Sequence, residues 1–497
     1  MLEAIMGGLR LFATGDAFLA ILIALPIGLV FGILPGLSGL TALAVLIPFV
    51  YGMDPFVGLT FLIAAHAVTA TSGAVPSILI GIPGTPPSAA TVIDGYPLAK
   101  QGRGGYACGA ALFSSAVGGI IGCLVMALIL PVLQPIILSF GSPETFILIV
   151  IGLLFLASVG SASIWKGLVA GIFGIFLSFV GYEAVSGVPR FWLGAEYFLD
   201  GLPLIPLALG LFAIPEIVEL TRHGKPIAID TPRDSLGHRE IWRGAFETVR
   251  YWKVTLQASL IGVLVGIIPG VGGETAPFVA YGAAQKISKD PKRFGNGAIE
   301  GVLAPEATNN SKEGGSLVPT LALGIPGGAG MAVLLGAFIV LGIQPGPEFM
   351  RNHMDIGIGL AIVLGFVNIV AAVAMMLVMP YIARVTQIPG RILAPLLMVL
   401  VVLGAYTSAN NPLDVVFALV FGVVGYVLKN LNFSRAALLL GFVLGATAER
   451  YLSLSLNLYG LSFLTRPITL TLIALTIVAL AYPHVLRRVR GNRHVQG

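Results

Sequence analysis

Long apolar stretches separated by short polar segments dominate the chain. Runs such as Ala107–Leu133 and Ile356–Met379 are long enough to cross a bilayer, since an α-helical span needs roughly 20 apolar residues. A β-barrel would instead show short segments of alternating polarity. The pattern predicts an all-α polytopic membrane protein with about a dozen transmembrane helices, together with re-entrant or broken helices.

The composition supports the same class of protein. Hydrophobic residues make up 57% of the chain and charged residues 10%, whereas soluble domains are about 25% charged. The net charge of +5 lies in loops, where it orients membrane helices, so we expect no nucleic-acid partner. The two cysteines, Cys108 and Cys123, lie in an apolar stretch and predict neither a disulfide nor a metal site.

Two short patterns occur twice along the chain. Pro76–Gly84 aligns with Pro319–Gly327 at a distance of 243 positions, and Gly32–Gly36 aligns with Gly266–Gly270 at 234. Internal duplication with helix-breaking residues at matching places is typical of secondary transporters. The chain is accordingly divided into a first membrane repeat at 1–218, a cytoplasmic polar linker at 219–253, a second membrane repeat at 254–483 and a basic cytoplasmic tail at 484–497.

Basic loops indicate how the second repeat begins. The linker and the loop at 286–293 are both rich in lysine and arginine, which favours the cytoplasmic side. Residues 254–285 must then enter and leave on that side, with two arms of only about 15 residues each. We predict a re-entrant hairpin with Pro-Gly-Val-Gly-Gly at its tip, with two short tilted spans as the alternative. The repeat predicts the same arrangement for residues 17–51.

The Pro-Gly breaks are the predicted binding site. Proline removes an N–H donor, and glycine permits close approach of a ligand. Broken helices expose free N–H groups, which attract anions, and free carbonyls, which can hold Na⁺. Simple kinks are the alternative, but four breaks in two matched pairs favour a site. The candidate residues for substrate or ion binding are Gly36, Ser38, Gly39, Thr71, Ser72, Gly84, Thr85, Gly270, Gly272, Gly273, Glu274, Asn309, Asn310 and Gly327.

Polar residues between the breaks suggest the chemistry of that site. Asn309 and Asn310 offer donors and acceptors without a net charge, which suits a carboxylate or a sodium ion. The adjacent Lys312 and Glu313 fit either a site or a polar loop at the membrane surface. His66 is interpreted as a hydrogen-bonded helix histidine in preference to a proton relay.

Two acidic residues have different interpretations. Glu274 directly follows a break, and an acid at membrane depth is a functional candidate. Asp94 stands in Asp-Gly-Tyr-Pro, a sequence typical of a turn or a helix cap, and we place it at the cytoplasmic edge.

Several other functions lack their sequence motif. The chain has neither GxxxxGK[ST] nor HExxH, so neither a P-loop ATPase nor that class of metalloprotease is predicted. An intramembrane enzyme would need an embedded acid–base pair, for which only Glu274 and His66 are available. The chain is therefore not predicted to be an enzyme. An ion channel or pore-forming protein remains the alternative to a transporter, because broken helices also serve channels.

Taken together, these motifs resemble a known family. Gly301–Gly330, the Pro-Gly-Leu-Ser-Gly and Pro-Gly-Val-Gly-Gly breaks, Ile82–Ala107 and Leu341–Phe349 resemble the large permease subunit of the bacterial tripartite tricarboxylate transporters, over about 20–470. The resemblance implies a permease of the bacterial cytoplasmic (inner) membrane. Such a permease works with a small four-span membrane subunit and a periplasmic solute-binding protein.

The same resemblance implies secondary, Na⁺-coupled uptake of citrate or other carboxylates, with no further cofactor. An inverted orientation of the two repeats is expected by analogy with other binding-protein-dependent transporters. One feature departs from the family pattern, since many members have small residues where this chain has Ser311, Lys312 and Glu313. The substrate is therefore left open between tricarboxylates and other organic acids.

Overall fold

Helices form nearly all of the regular structure. The computed structural model of the protein describes residues 2–34, 37–158, 163–183, 187–222, 236–268, 273–382, 390–474 and 476–477. Within this part of the chain, the strands are β1 (Gly181–Tyr182) and β2 (Pro189–Arg190), which pair antiparallel. The all-α class predicted from the apolar pattern is confirmed.

The helices follow one another with short connections. Those before the polar linker are α1 (Leu2–Phe12), α2 (Gly15–Ile33), α3 (Gly39–Leu46), α4 (Pro55–Ser72), α5 (Ala74–Leu79), α6 (Ala89–Leu98), α7 (Gly104–Ile137), α8 (Ser142–Ser158), α9 (Ile164–Ser178), α10 (Leu204–Ala208) and α11 (Ile214–Arg222). Those from the linker onward are α12 (His238–Arg250), α13 (Trp252–Ile267), α14 (Ala276–Ile287), α15 (Glu300–Leu323), α16 (Ala329–Val340), α17 (Pro347–Asn352), α18 (Met354–Ile382), α19 (Gly390–Ala409), α20 (Pro412–Asn430) and α21 (Arg435–Tyr459).

Many of the helices have membrane-spanning character. Eight helical segments in the described part of the chain are long and apolar enough to cross a bilayer. The sequence predicts about a dozen spans, and the difference arises because several predicted spans form shorter apolar helices. These are Gly39–Val50, Ser142–Leu154, Ile164–Ser178, Trp252–Ile267 and Ala329–Val340. The polytopic membrane class is confirmed, while the span count stays a prediction.

The first repeat begins with a helical hairpin. Gly28 of α2 lies against Ala65 of α4, and Gly32 lies against Ser72. The later residue of α2 contacts the later residue of α4, so the two helices run parallel. The helix α3 between them must therefore run back, so α2 and α3 form a hairpin.

The second repeat begins in the same way. Gly262 of α13 lies against Thr308 of α15, and Gly266 lies against Lys312, so α13 and α15 also run parallel and α14 runs back between them. At 1.5 Å per residue, the 12 residues of α14 rise about 18 Å, well short of the roughly 30 Å hydrocarbon core. This geometry favours the predicted re-entrant hairpin over two tilted spans.

The two later helix breaks share their local hydrogen bonds. The backbone N–H of Gly84 donates to Oγ of Ser77 at 3.4 Å, and that of Gly327 donates to Oγ1 of Thr320 at 3.4 Å. The two acceptors are 243 positions apart, as are the two donors. Each helix ends a few residues earlier, next to a glycine with positive φ, Gly81 or Gly324, and the hydroxyl holds the chain that follows.

The helix α15 lies at the centre of the molecule. Every residue from Glu300 to Ala322 is buried, and α15 packs against α7, α13 and α14. It crosses α4 antiparallel, since His66 faces Glu313 and Ala70 faces Asn309. Opposite directions of these two matching helices are what inverted repeats require. The repeat orientation and the domain boundaries nevertheless stay predictions.

Close packing of α7 on α15 gives a stability prediction. A Cβ atom on Gly118 would overlap the carbonyl oxygen of Ala307, so Gly118→Ala must separate the two helices. We expect a loss of about 1–3 kcal/mol in stability, seen as a lower melting temperature of the purified protein. Gly282→Ala is the control, because a Cβ there meets nothing within 4 Å. Equal melting temperatures of the two variants would show that the contact between Gly118 and Ala307 is not tight.

Candidate functional site: a cavity where four helix breaks meet

A cavity of about 70 Å³ lies where the two hairpin turns meet the two later breaks. The hairpin turns contribute Ser38, Gly39, Leu40, Gly273 and Glu274; the later breaks contribute Thr85, Pro86, Pro87, Gly328, Ala329, Gly330 and Met331; and α4 and α15 contribute His66, Ala70, Asn309, Lys312, Glu313 and Ser316. Both repeats therefore supply equivalent segments to one cavity.

At each break, the cavity meets the beginning of a helical segment. The helix α3 begins at Gly39, α14 at Ala276 and α16 at Ala329, and a 3₁₀ turn begins at Pro86. Unpaired N–H groups and the helix dipole make such ends partly positive. Ser38 caps α3 by accepting a hydrogen bond from the N–H of Thr41 at 3.4 Å. The backbone thus favours an anion in the cavity.

Charged side chains enter the cavity from both repeats. Lys312 donates to Oε1 of Glu313, and Nε2 of His66 lies 3.3 Å from Oε2 of the same carboxylate. Both Lys312 and Glu313 are almost fully buried, and Glu274 lines the same cavity. Nδ1 of His66 is buried without a hydrogen-bond partner among the described residues, so only one of its ring nitrogens is satisfied.

Glycines in the hairpin turns make room for these side chains. A Cβ on Gly39 would lie 2.6 Å from Nδ1 of His66, and a Cβ on Gly273 would lie 2.9 Å from Cδ of Lys312. The two glycines are 234 positions apart, the same offset as their Pro-Gly motifs. Each hairpin turn therefore closes directly over a polar side chain of the following long helix.

The asparagine pair joins α15 to α4 and α18. Nδ2 of Asn309 donates to the carbonyl of Ala70 at 3.3 Å, while Nδ2 of Asn310 donates to Oγ1 of Thr71 at 2.6 Å and to Oδ1 of Asn368. Within the described residues, the Oδ1 atoms of both asparagines are buried without a partner. Two amide oxygens are therefore available to a ligand.

The predicted site residues fall into three groups. Those that line the cavity are Ser38, Gly39, Thr85, Gly273, Glu274 and Asn309. Those in neighbouring packing or hydrogen bonds are Thr71, Ser72, Gly84, Asn310 and Gly327. Those outside the described residues are Gly36, Gly270 and Gly272. Their role in binding stays a prediction.

The sequence leaves two interpretations for Lys312 and Glu313, and it favours a structural role for His66. A surface loop remained an alternative for Lys312 and Glu313, because a Lys-Glu pair is usually solvated, yet both are buried in α15. His66 was interpreted as satisfied, yet one of its nitrogens faces Gly39 at the cavity. A usable signal was the spacing of Glu306, Asn309 and Glu313, which places them on one helix face.

Asp94 connects α6 to the segment that precedes α15. It is fully buried within α6, where its Oδ1 accepts from the N–H groups of Gly295, Gly297 and Ala298 at 2.8–2.9 Å. Its Oδ2 accepts from the hydroxyl of Tyr281 at 2.9 Å. Asp94 therefore caps the segment that leads into α15, where the sequence suggested a local turn or cap.

The cavity residues do not resemble a metal centre. In the part of the chain that the structure describes, no group of three or more His, Cys, Asp or Glu side chains could hold a metal ion. The cavity offers helix N-termini, amide and hydroxyl oxygens, the ammonium group of Lys312, the imidazole of His66 and the carboxylates of Glu274 and Glu313. These groups suit an organic anion or an alkali cation.

Helical hairpins and broken helices around a buried polar cavity define a multi-pass membrane protein of a kind found among transporters. Comparison with known families agrees with this class. The family described as "Tripartite tricarboxylate transporter TctA family" matches residues 18–440, and the chain belongs to this family. The chain is therefore a membrane subunit of a tripartite transporter.

Two relatives come from Agrobacterium vitis. One, described as "Uncharacterized 52.8 kDa protein in TAR-I ttuC' 3'region", is 32% identical over 470 residues, which cover 94% of this chain and 93% of the relative. The other, "Uncharacterized protein in TAR-II ttuC' 3'region", is 36% identical over 235 residues, 47% of this chain and 97% of the relative. No solved structure matches the chain.

Proposed function

We propose that the chain is the permease subunit of a binding-protein-dependent secondary transporter that imports carboxylates across the bacterial inner membrane. The observation that carries this proposal is the cavity at which four helical segments begin. Each helix N-terminus favours a nearby anion by about 0.3–1 kcal/mol. Three of them, at the beginnings of α3, α14 and α16, lie around one buried space and form a binding site for carboxylate groups.

The side chains of the cavity support the same ligand. The ammonium group of Lys312 and the amide group of Asn309 can both donate to a carboxylate. Glu274 and Glu313 lie in the same cavity, so an anionic substrate would enter beside two acids. A co-transported cation would balance this charge, which supports coupling to Na⁺.

The partners follow from the family. A tripartite system supplies a small four-span membrane subunit and a periplasmic solute-binding protein that delivers the substrate to the permease. The described lining of the cavity comes from both repeats of this chain. We therefore assign substrate passage to this subunit and substrate delivery to the binding protein.

The test is uptake of labelled carboxylates into proteoliposomes that contain this chain and its small membrane partner, with the binding protein added outside. We expect saturable uptake that requires both the binding protein and an inward Na⁺ gradient. A comparison of citrate with di- and monocarboxylates then identifies the substrate. Uptake that does not require the binding protein, or a conductance that does not saturate with substrate concentration, would instead support the ion-channel alternative.

A further inference from the structure

A buried carboxylate lies next to the cavity. Glu306 of α15 is fully buried. Its Oε1 accepts a hydrogen bond from Oγ1 of Thr91 in α6, and its Oε2 accepts one from Oγ of Ser115 in α7 at 3.2 Å. The side chain of Asn309 also lies within hydrogen-bonding reach. None of the ion pairs within the described residues includes Glu306.

The surroundings of Glu306 leave its charge uncompensated. Its hydrogen-bonding partners are neutral hydroxyl and amide groups, which satisfy its oxygens but do not neutralise it. An ionised carboxylate inside a membrane protein is strongly disfavoured unless a cation accompanies it. The one nearby ammonium, on Lys312, already pairs with Glu313. The interior of the bundle is therefore short of positive charge at this position.

Free oxygen atoms lie on the same face of α15. Asn309 and Asn310 follow Glu306 by three and four residues, which places all three side chains on one side of the helix. The Oδ1 atoms of both asparagines are buried without a partner in the described structure. Thr71 and Asn368 hold the amide nitrogen of Asn310, which leaves its oxygen as the free atom.

We propose that Glu306, Asn309 and Asn310 form a sodium site beside the substrate cavity. Carboxylate and amide carbonyl oxygens are the ligands that hard cations prefer, and a single positive charge would neutralise Glu306. The proposal rests on the proposed function and assigns the coupling ion to particular residues. Glu306 is a new candidate binding residue, because it lies outside the Pro-Gly breaks.

The position of Asn309 links this sodium site to the substrate. Asn309 lines the cavity and also lies beside Glu306. A sodium ion bound to its oxygen would fix the Asn309 side chain in one orientation at the wall of the cavity. Sodium would then raise the affinity for substrate, and substrate would raise the affinity for sodium by the same factor.

Sodium binding can be measured without substrate or partners. The full chain in lipid nanodiscs is titrated with radioactive Na⁺, and bound label is displaced with unlabelled Na⁺. Glu306→Gln keeps the size of the side chain and one acceptor oxygen but removes its charge. We expect saturable binding by the wild type and an affinity at least about tenfold weaker in Glu306→Gln. Asn310→Ala should weaken binding as well.

The control is Ser114→Ala, which removes a buried hydroxyl beside Ser115. Among the residues that the structure describes, Oγ of Ser114 bonds only to the carbonyl of Ala111 in its own helix, so sodium affinity should not change. If Glu306→Gln fails to fold, Asn310→Ala compared with Ser114→Ala still decides the question. Wild-type sodium affinity in the folded Glu306 and Asn310 variants would overturn the site, as would proton uptake in place of sodium binding by the wild type. Saturable, binding-protein-dependent carboxylate uptake alongside such a result would leave the permease assignment intact.

Discussion

Lys312→Met is expected to lower saturable carboxylate uptake at least about 30-fold, because loss of one partner of a buried charge pair typically costs 2–5 kcal/mol. Without the ammonium group, Glu313 and Glu274 would face the cavity with only His66 nearby. A carboxylate substrate would then meet an excess of negative charge. The measurement is initial uptake in proteoliposomes, normalised to the amount of inserted protein.

Two further variants separate charge from packing. Lys429→Met is the matched control, because Lys429 also pairs with carboxylates, those of Glu216 and Glu219, but lies outside the cavity. Its uptake should stay near the wild-type value. The double variant Lys312→Met/Glu313→Gln removes both charges and should recover part of the lost uptake. Equal uptake by the single and double variants would show that cavity charge is not the cause.

Asn309→Ala is expected to lower uptake at least about fivefold while the protein still reaches the membrane. The change removes one amide from the cavity and leaves buried groups without their partner, which typically costs 1–3 kcal/mol. It also removes the proposed link between substrate and sodium. We therefore expect a weaker dependence of the remaining uptake on the Na⁺ gradient, measured by varying external Na⁺ at fixed substrate.

Asn352→Ala is the control for this change. Asn352 is an exposed asparagine at the end of α17, so the substitution changes the same chemistry outside the cavity. Uptake by Asn352→Ala should match the wild type. Wild-type uptake by Asn309→Ala would show that the asparagine pair does not bind substrate. The helix N-termini would then be the remaining binding groups.

Local features of the sequence determined the class and the main landmarks of the fold. Apolar length predicts membrane helices because a bilayer requires about 20 such residues in a row. Proline and glycine predict where helices break, because their backbone restrictions act within a single turn. The repeated motifs predicted that Pro319–Gly327 would match Pro76–Gly84, and the two breaks do share the same hydrogen bond.

Only the tertiary structure decided how these parts meet. Thr91 and Glu306 are 215 positions apart, and His66 and Glu313 are 247 positions apart, yet each pair is in contact. No local pattern contains such a pairing, because hydrophobic periodicity reports which face of a helix is buried and not what lies against it. Lys312 and Glu313 are exposed by any local rule and become buried because the helices packed around α15 enclose it. The chain itself therefore specifies helices and breaks, while the packing of distant segments creates the cavity and the chemistry within it.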